Sequence, residues 1–211
     1  MGKKFKPQFD EWLKYLEGLG YTNYVKVLNA KDYGVPQNRE RVFVVSILGE
    51  HEPYEFPKPI PLDKCITDVL ENQVDENYYI DKPSNLITKG HQILIPQATK
   101  RGYIELDLPG VCDLSYPTSK TRRGRVQENG KVSPTLTASN QDICYIETQK
   151  DDYTIRKLTP KERFRLMGLK DDDIDKIQQA GISNAQQYKM AGNSIVVNVL
   201  EGIFRNLFIK K

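Results

Sequence analysis

Arg39 and Arg41 stand two residues apart behind Gln37, at the mouth of an apolar run, and are the residues of this chain best suited to grip an anion or a base edge. Arginine carries a rigid fork of donors that matches a phosphate or the polar rim of a nucleobase. The alternative is a surface ion pair with Glu40, and such exposed pairs contribute little. The loop Asp32-Tyr33-Gly34-Val35-Pro36 is built to turn: Gly34 permits unusual backbone angles, while Pro36 fixes its own φ and keeps Val35 extended. After it, Arg41 to Leu48 is β-branched, aromatic and almost continuously apolar, as in a strand covered on both faces. The pair therefore sits on a stiff platform.

Two further stretches carry polar chemistry. Lys120, Arg122, Arg123 and Arg125 crowd one glycine-containing loop, followed by the hydroxyls of Ser133, Thr135, Thr137 and Ser139. Such a loop has the donors to hold a DNA backbone, although charge runs are usually solvated. Farther on, Asn193 and Ser194 follow a glycine. Ser194 reads as the cap of a new helix, whose free N–H groups beside the Asn193 amide suit a carboxylate or phosphate. A plain helical corner is the alternative there.

The elements that must position these residues read as follows. Pro7 to Leu19 is an amphipathic helix, with Phe9, Trp12, Leu13, Leu16 and Leu19 at helical spacing and Gly20 at its stop. Tyr24 to Leu28 alternates like a strand. With the strand from Arg41 this makes an α/β fragment, since no glycine-rich βα turn of the cofactor-binding kind precedes Phe5. Four prolines between His51 and Pro61 give an extended connector, and Asp63 to Glu71 a short helix. From Tyr78 to Thr148 short β-like runs, such as Gln92 to Ile95 and Ile143 to Ile146, alternate with turn residues, which predicts a small, irregular, mostly-β domain. Thr159-Pro160-Lys161-Glu162 is a capping box that starts a helix at Pro160, and Gly168 ends it. Helices over Asp172 to Gln179 and Asn184 to Ala191 follow, then a last one carrying Val196, Val197, Leu200, Ile203, Phe204 and Leu207.

The composition bounds the setting. A net charge of +3 in 211 residues is too small to indicate a nucleic-acid partner without its placement. Cys65, Cys112 and Cys144 show no paired spacing, so neither a disulfide framework nor a metal site is indicated. A reducing cytoplasm is the simplest setting, with no membrane span.

Taken together, Gln37-Asn38-Arg39-Glu40-Arg41, the run from Arg156-Lys157-Leu158-Thr159-Pro160-Lys161-Glu162 through Arg165-Leu166-Met167-Gly168, and Gly192-Asn193-Ser194-Ile195 resemble motifs of the DNA cytosine-5 methyltransferases, in their order. Ser133-Pro134-Thr135-Leu136-Thr137 looks like part of their target-recognition region, and the resemblance covers the C-terminal half of such an enzyme. It implies an incomplete Rossmann-like methyltransferase sheet with helices over 1–75, a small target-recognition domain over 76–152, and a helical return over 153–211. In this family a cytosine is swung out of the duplex, a cysteine attacks C6, a glutamate assists at N3, and S-adenosylmethionine supplies the methyl group. The resemblance implies that Arg41 holds the flipped cytosine near O2 and that Arg39 binds the adjacent phosphate or supports the nucleophile's loop. Gln37, Thr135, Lys120, Arg122, Arg123 and Arg125 would meet double-stranded DNA, and Asn193 and Ser194 would close one side of the S-adenosylmethionine pocket.

The family's Pro-Cys and Glu-Asn-Val motifs are absent from these 211 residues: Lys64, Val111 and Ile143 precede the three cysteines. The expectation is a portion inactive alone, completed by a polypeptide carrying the other half, with Met1 just past the boundary between halves. A DNA-binding protein without chemistry and the remnant of an interrupted gene are the alternatives. The strands near Tyr24 and Arg41, deprived of their neighbours, would also leave an apolar face and an open edge and promote self-association.

Overall fold

A computed structural model describes residues 4–139, 142–150 and 152–209. Met1, on which the expected boundary rests, lies outside them. Helix α1 (Lys6–Gly18) precedes an antiparallel hairpin of β1 (Tyr21–Asn29) and β2 (Glu40–Leu48), in which Val25 faces Val44 and Leu28 faces Arg41. The Gly34 turn between them has φ of 79°, a left-handed conformation that glycine adopts without strain. A 3-10 turn at Ala30–Tyr33 leads into it, capped by the Asn29 side chain.

The expectation of a strand covered on both faces is corrected. One face of the hairpin, carrying Tyr24, Leu28, Phe43, Val45 and Ile47, packs into the main core. The other carries Val25 and Val27, which remain 44% and 54% exposed, and helix α1 buries none of its own residues. The apolar stripe that predicts the helix is real, but little in this chain covers it.

The proline-rich connector forms no helix or strand, and the expected helix over Asp63 to Glu71 is a single 3-10 turn, Ile66–Val69. Seven short strands follow: β3 (Tyr79–Ile80), β4 (Ile87–Lys89), β5 (Gln92–Pro96), β6 (Tyr103–Asp107), β7 (Gly110–Asp113), β8 (Ile143–Gln149) and β9 (Asp152–Lys157). They form a four-stranded sheet ordered β3-β9-β8-β7 and a three-stranded sheet ordered β4-β5-β6. The period of two divides β7 and β8 between two cores. Val111, Ile143 and Tyr145 join the main core, while Cys112, Cys144 and Ile146 join Ile93, Ile95 and Leu106 in the second.

Four helices close the chain: α2 (Pro160–Arg165), α3 (Asp171–Gln179), α4 (Asn184–Asn193) and α5 (Val197–Phe208). The capping box at Thr159 forms as expected, its hydroxyl accepting from the Glu162 N–H while the Glu162 carboxylate accepts from the Thr159 N–H. Ser194 does not cap a new helix. It is the extended residue after α4, and α5 begins after Val196, with the Val197 N–H donating to the Met167 carbonyl at 2.9 Å. No described helix is long and apolar enough to cross a membrane.

Candidate functional site

Gln37 is fully buried, and its side chain joins three distant stretches. Its amide NH2 donates to the Leu166 carbonyl at 2.7 Å, and its amide oxygen accepts from the Leu136 N–H at 3.1 Å. Beside it the Asn38 N–H donates to the Ser133 carbonyl, the Ser133 N–H to the Pro36 carbonyl, and the Thr135 hydroxyl to the Asn38 carbonyl at 2.6 Å. The expectation that Gln37 touches DNA is therefore corrected: it is an internal clasp with no surface to offer. The Thr135 hydroxyl likewise faces inward.

Arg39 is 4% exposed and serves the same purpose over a longer reach. Its guanidinium donates to the carbonyls of Leu136 at 2.5 Å, Gly192 at 2.9 Å and Ser194 at 2.8 Å. Burial pulls the group down to about 10, with Arg41 adding a smaller push in the same direction. A guanidinium enclosed by three carbonyls is not placed to bind a phosphate, so that expected role is corrected; the stretches it holds are those of Leu136, Gly192 and Ser194. The approach it secures is close. A carbon added at Gly192 would sit 2.3 Å from the Ala138 nitrogen and 2.3 Å from the Thr137 carbonyl carbon, so only glycine lets the two backbones meet.

Arg41 alternates to the opposite situation. It is exposed, donates to the Glu40 carbonyl at 2.7 Å, and borders a small cleft with Leu28, Phe43, Ile195 and Val199. The ion pair with Glu40 does not form. Asn193 is exposed at the end of α4, and Ser194, half-buried, follows it. The stretch around Arg41 and the stretch around Asn193 are thus adjacent, pinned to one another through Arg39.

The basic loop separates into roles that its composition conceals. Arg125 is 1% exposed and donates to the carbonyls of Asp113, Ser115 and Tyr116 at 2.7 to 2.8 Å, with burial lowering its pKa. It is corrected from a DNA contact to a buried support of the loop. Arg122 pairs with the Asp113 carboxylate through Nε and Nη2, and its guanidinium lies over the Tyr116 ring. Lys120 is exposed, and so is Arg123, whose Nε donates to the Ala98 carbonyl at 2.7 Å. Those two keep their charge toward solvent.

One constellation escaped the sequence reading. Arg156 and Glu162, both buried, form a bidentate pair at 2.8 and 2.9 Å, and the same carboxylate accepts from the backbone N–H groups of Thr159 and Glu71 at 2.8 and 3.0 Å. The capping box and the motif run from Arg156 to Glu162 gave a signal for Arg156, Thr159 and Glu162, but nothing in the spacing links them to Glu71. Arg163, buried under the Tyr188 ring at 4.4 Å, completes this base. The Leu166 N–H donates to the Glu162 carbonyl at 3.0 Å, and the Leu166 carbonyl accepts from Gln37.

A family model for the C-5 cytosine-specific DNA methylases matches residues 1–209. The chain is 38% identical over 214 residues to the Type II methyltransferase M2.ScrFI of Lactococcus lactis subsp. cremoris, a match covering 99% of this chain and 51% of that protein. It is 33% identical to the Type II methyltransferase M.SsoII of Shigella sonnei, over 89% of this chain and 45% of that protein. In fold it is similar to the Entamoeba histolytica methyltransferase EhMeth, with a TM-score of 0.63 at 22% identity over 96% of this chain and 59% of that one. The S. pombe Dnmt2 methyltransferase gives 0.61 at 17% identity, covering 95% and 59%. The chain thus spans about half the length of the curated relatives it matches. With a family model covering all but two residues and relatives at 33% and 38% identity, these 211 residues belong to the C-5 cytosine-specific DNA methylase family.

Proposed function

We propose that this chain is the C-terminal portion of a DNA (cytosine-5)-methyltransferase, which holds DNA, completes the S-adenosylmethionine pocket and transfers no methyl group alone. The observation that carries the reading is the Arg39 clasp, which sets the exposed Arg41 beside Ile195 on one cleft wall. Arg41 then grips the flipped cytosine, and Lys120 and Arg123 meet phosphates. Gln37, Arg39 and Arg125 act from behind, holding those surfaces in place. The domain division follows the same lines: 1–75 as part of the catalytic sheet, 76–152 as the target-recognition domain, 153–211 as the helical return.

S-adenosylmethionine supplies the methyl group in this chemistry, and the residues present fit it as one wall. Ile195, half exposed, lines that cleft, and Asn193 is exposed two residues before it. The rest of the pocket, the nucleophilic cysteine and the glutamate belong to a polypeptide carrying the Pro-Cys and Glu-Asn-Val motifs. Mixing the chain with such a polypeptide and following labelled methyl groups into DNA is the test. Transfer by the mixture and by neither component supports the reading; transfer by this chain alone, or by no mixture, defeats it.

A second reading, a DNA-binding protein without chemistry, draws on the solvent-facing Lys120 and Arg123. It is favoured if the chain alone binds DNA with a strong salt dependence and no cognate half restores transfer.

A further inference from the structure

Asp113 ends β7 with its side chain 6% exposed, and its two carboxylate oxygens serve different neighbours. Oδ1 accepts from the Ser115 N–H at 2.9 Å and from the Ser115 hydroxyl at 2.5 Å, while Oδ2 accepts from Nε and Nη2 of Arg122. The same guanidinium lies over the Tyr116 ring, 5.4 Å from its centre. Buried Arg125 fixes the backbone that presents both partners, through the carbonyls of Asp113, Ser115 and Tyr116. Tyr116 is held there at a φ of 50°, a left-handed conformation that a tyrosine keeps only under constraint. Arg122 is thus fixed along one edge by a carboxylate and on one face by a ring, with 30% of its side chain still exposed. Among the described residues nothing accepts from Nη1 or from the second N–H of Nη2. Those donors are the end-on fork of the guanidinium, two parallel N–H groups on a different edge from the one Asp113 holds.

The charge of Arg122 is already met by a buried carboxylate, so the pair adds little to a pull on phosphates but keeps its directional donors. Its neighbours are the reverse case. Lys100, Lys120 and Arg123 are exposed, and among the described residues none of them has a carboxylate in ion-pair reach. Lys100 stands on the turn between β5 and β6, which is tied to the basic loop twice: the Ala98 N–H donates to the Arg122 carbonyl at 2.9 Å, and Nε of Arg123 donates to the Ala98 carbonyl at 2.7 Å. We propose, resting on the reading of this chain as a DNA-holding portion, that Arg122 is a specificity-determining residue that reads a guanine of the target duplex. Its Nη1 and Nη2 donate to O6 and N7 from the major groove, and Lys100, Lys120 and Arg123 meet the phosphates on either side. Guanine follows from the fork. It presents two acceptors side by side in that groove, whereas adenine sets a donor beside N7 and cytosine offers a donor. Asp113 and Tyr116 are positioning residues, which hold the long side chain in place before DNA arrives and so reduce the freedom lost on binding.

The experiment reads binding and not methyl transfer. The chain, mixed with a polypeptide carrying the Pro-Cys and Glu-Asn-Val motifs, is equilibrated with a randomised duplex pool. The enriched duplexes are then rebuilt with 7-deazaguanine, which lacks the N7 acceptor, or with inosine, which keeps N7 and O6, at each guanine in turn. At one guanine the 7-deaza base is expected to weaken wild-type binding about tenfold and inosine to leave it unchanged. Arg122→Ala is expected to bind the guanine and 7-deazaguanine duplexes alike and to keep the wild-type salt dependence, which also reports that it is folded. Lys100→Ala should instead lower the salt dependence by about one contact. If no guanine is sensitive to the 7-deaza base, or if wild type and Arg122→Ala are equally sensitive, this inference is overturned and the DNA-holding reading stands. Arg122→Ala losing affinity evenly on every duplex, with a shallower salt slope, marks a phosphate contact and overturns it too. A mixture that binds no duplex defeats both.

Discussion

Residues of one chemical type do three different jobs here, and burial decides which. Arg39 and Arg125 bond backbone carbonyls from inside, Arg156 pairs a buried carboxylate, and Arg41 and Arg123 face solvent. Replacing Arg39 by methionine leaves the carbonyls of Leu136, Gly192 and Ser194 without their donor, at a cost of about 3 kcal/mol; chemical denaturation of the variant measures it. Gly192→Ala is expected to cost about as much or more, because backbone atoms and not a flexible side chain occupy the space, and its thermal midpoint should fall by several degrees. Lys120→Ala and Arg123→Ala should leave stability within about 0.5 kcal/mol and, if the loop meets phosphates, each lower the salt dependence of DNA binding by about one contact. The types and spacing in Gln37-Asn38-Arg39-Glu40-Arg41 were readable as a functional unit. That Gln37 and Arg39 point inward was not, because the carbonyls they serve lie about a hundred residues or more away.

At the scale of elements, local rules succeeded where local interactions dominate. The capping box at Thr159 and the turn at Gly34 formed as their residues dictate. They misplaced the cap at Ser194: the cap of α5 falls at Val196, two residues later, where the Val197 N–H donates to the Met167 carbonyl. The expected helix over Asp63 to Glu71 shrank to one turn for a related reason: the Glu71 N–H is engaged by the Glu162 carboxylate instead of a helical carbonyl. Glu162→Gln should therefore be severe, about 3 kcal/mol, since it leaves the buried Arg156 charge with only the longer contact to the partly exposed Glu147 carboxylate; replacing Arg156 and Glu162 by apolar residues of similar volume should recover much of the loss in the same denaturation assay. The β7–β8 ladder makes a pH prediction. Burial raises the Cys144 thiol from 9.0 to about 12 and raises Cys112 and Tyr188 in the same direction. A folded pKa above the unfolded one gives stability that is complete below pH 9 and lost as the pH climbs toward 12, up to about 4 kcal/mol for Cys144. Urea midpoints between pH 8 and 11 should fall for the wild type and fall less for Cys144→Ala.

On the scale of the whole molecule, a mixed α/β fold was legible because helical and strand periodicities both appear along the chain. An uncovered apolar face was expected from the resemblance, but the run from Arg41 itself read as covered on both faces, since the period of an apolar strand is the same whether or not a neighbour exists. The hairpin and α1 keep large apolar side chains at the surface, while the middle and end of the chain close two well-filled cores. The sheet of β7, β8 and β9 is ceiling to one of those cores and floor to the other. A transplant of this middle segment from a homologue must therefore bring compatible side chains at Val111, Ile143 and Tyr145, or it will empty the compartment beneath the hairpin while leaving its own intact. Divergence in what the segment contacts is consequently cheapest in the bends beyond the strand ends, where Lys120 and Arg123 stand, and dearest along the strands themselves.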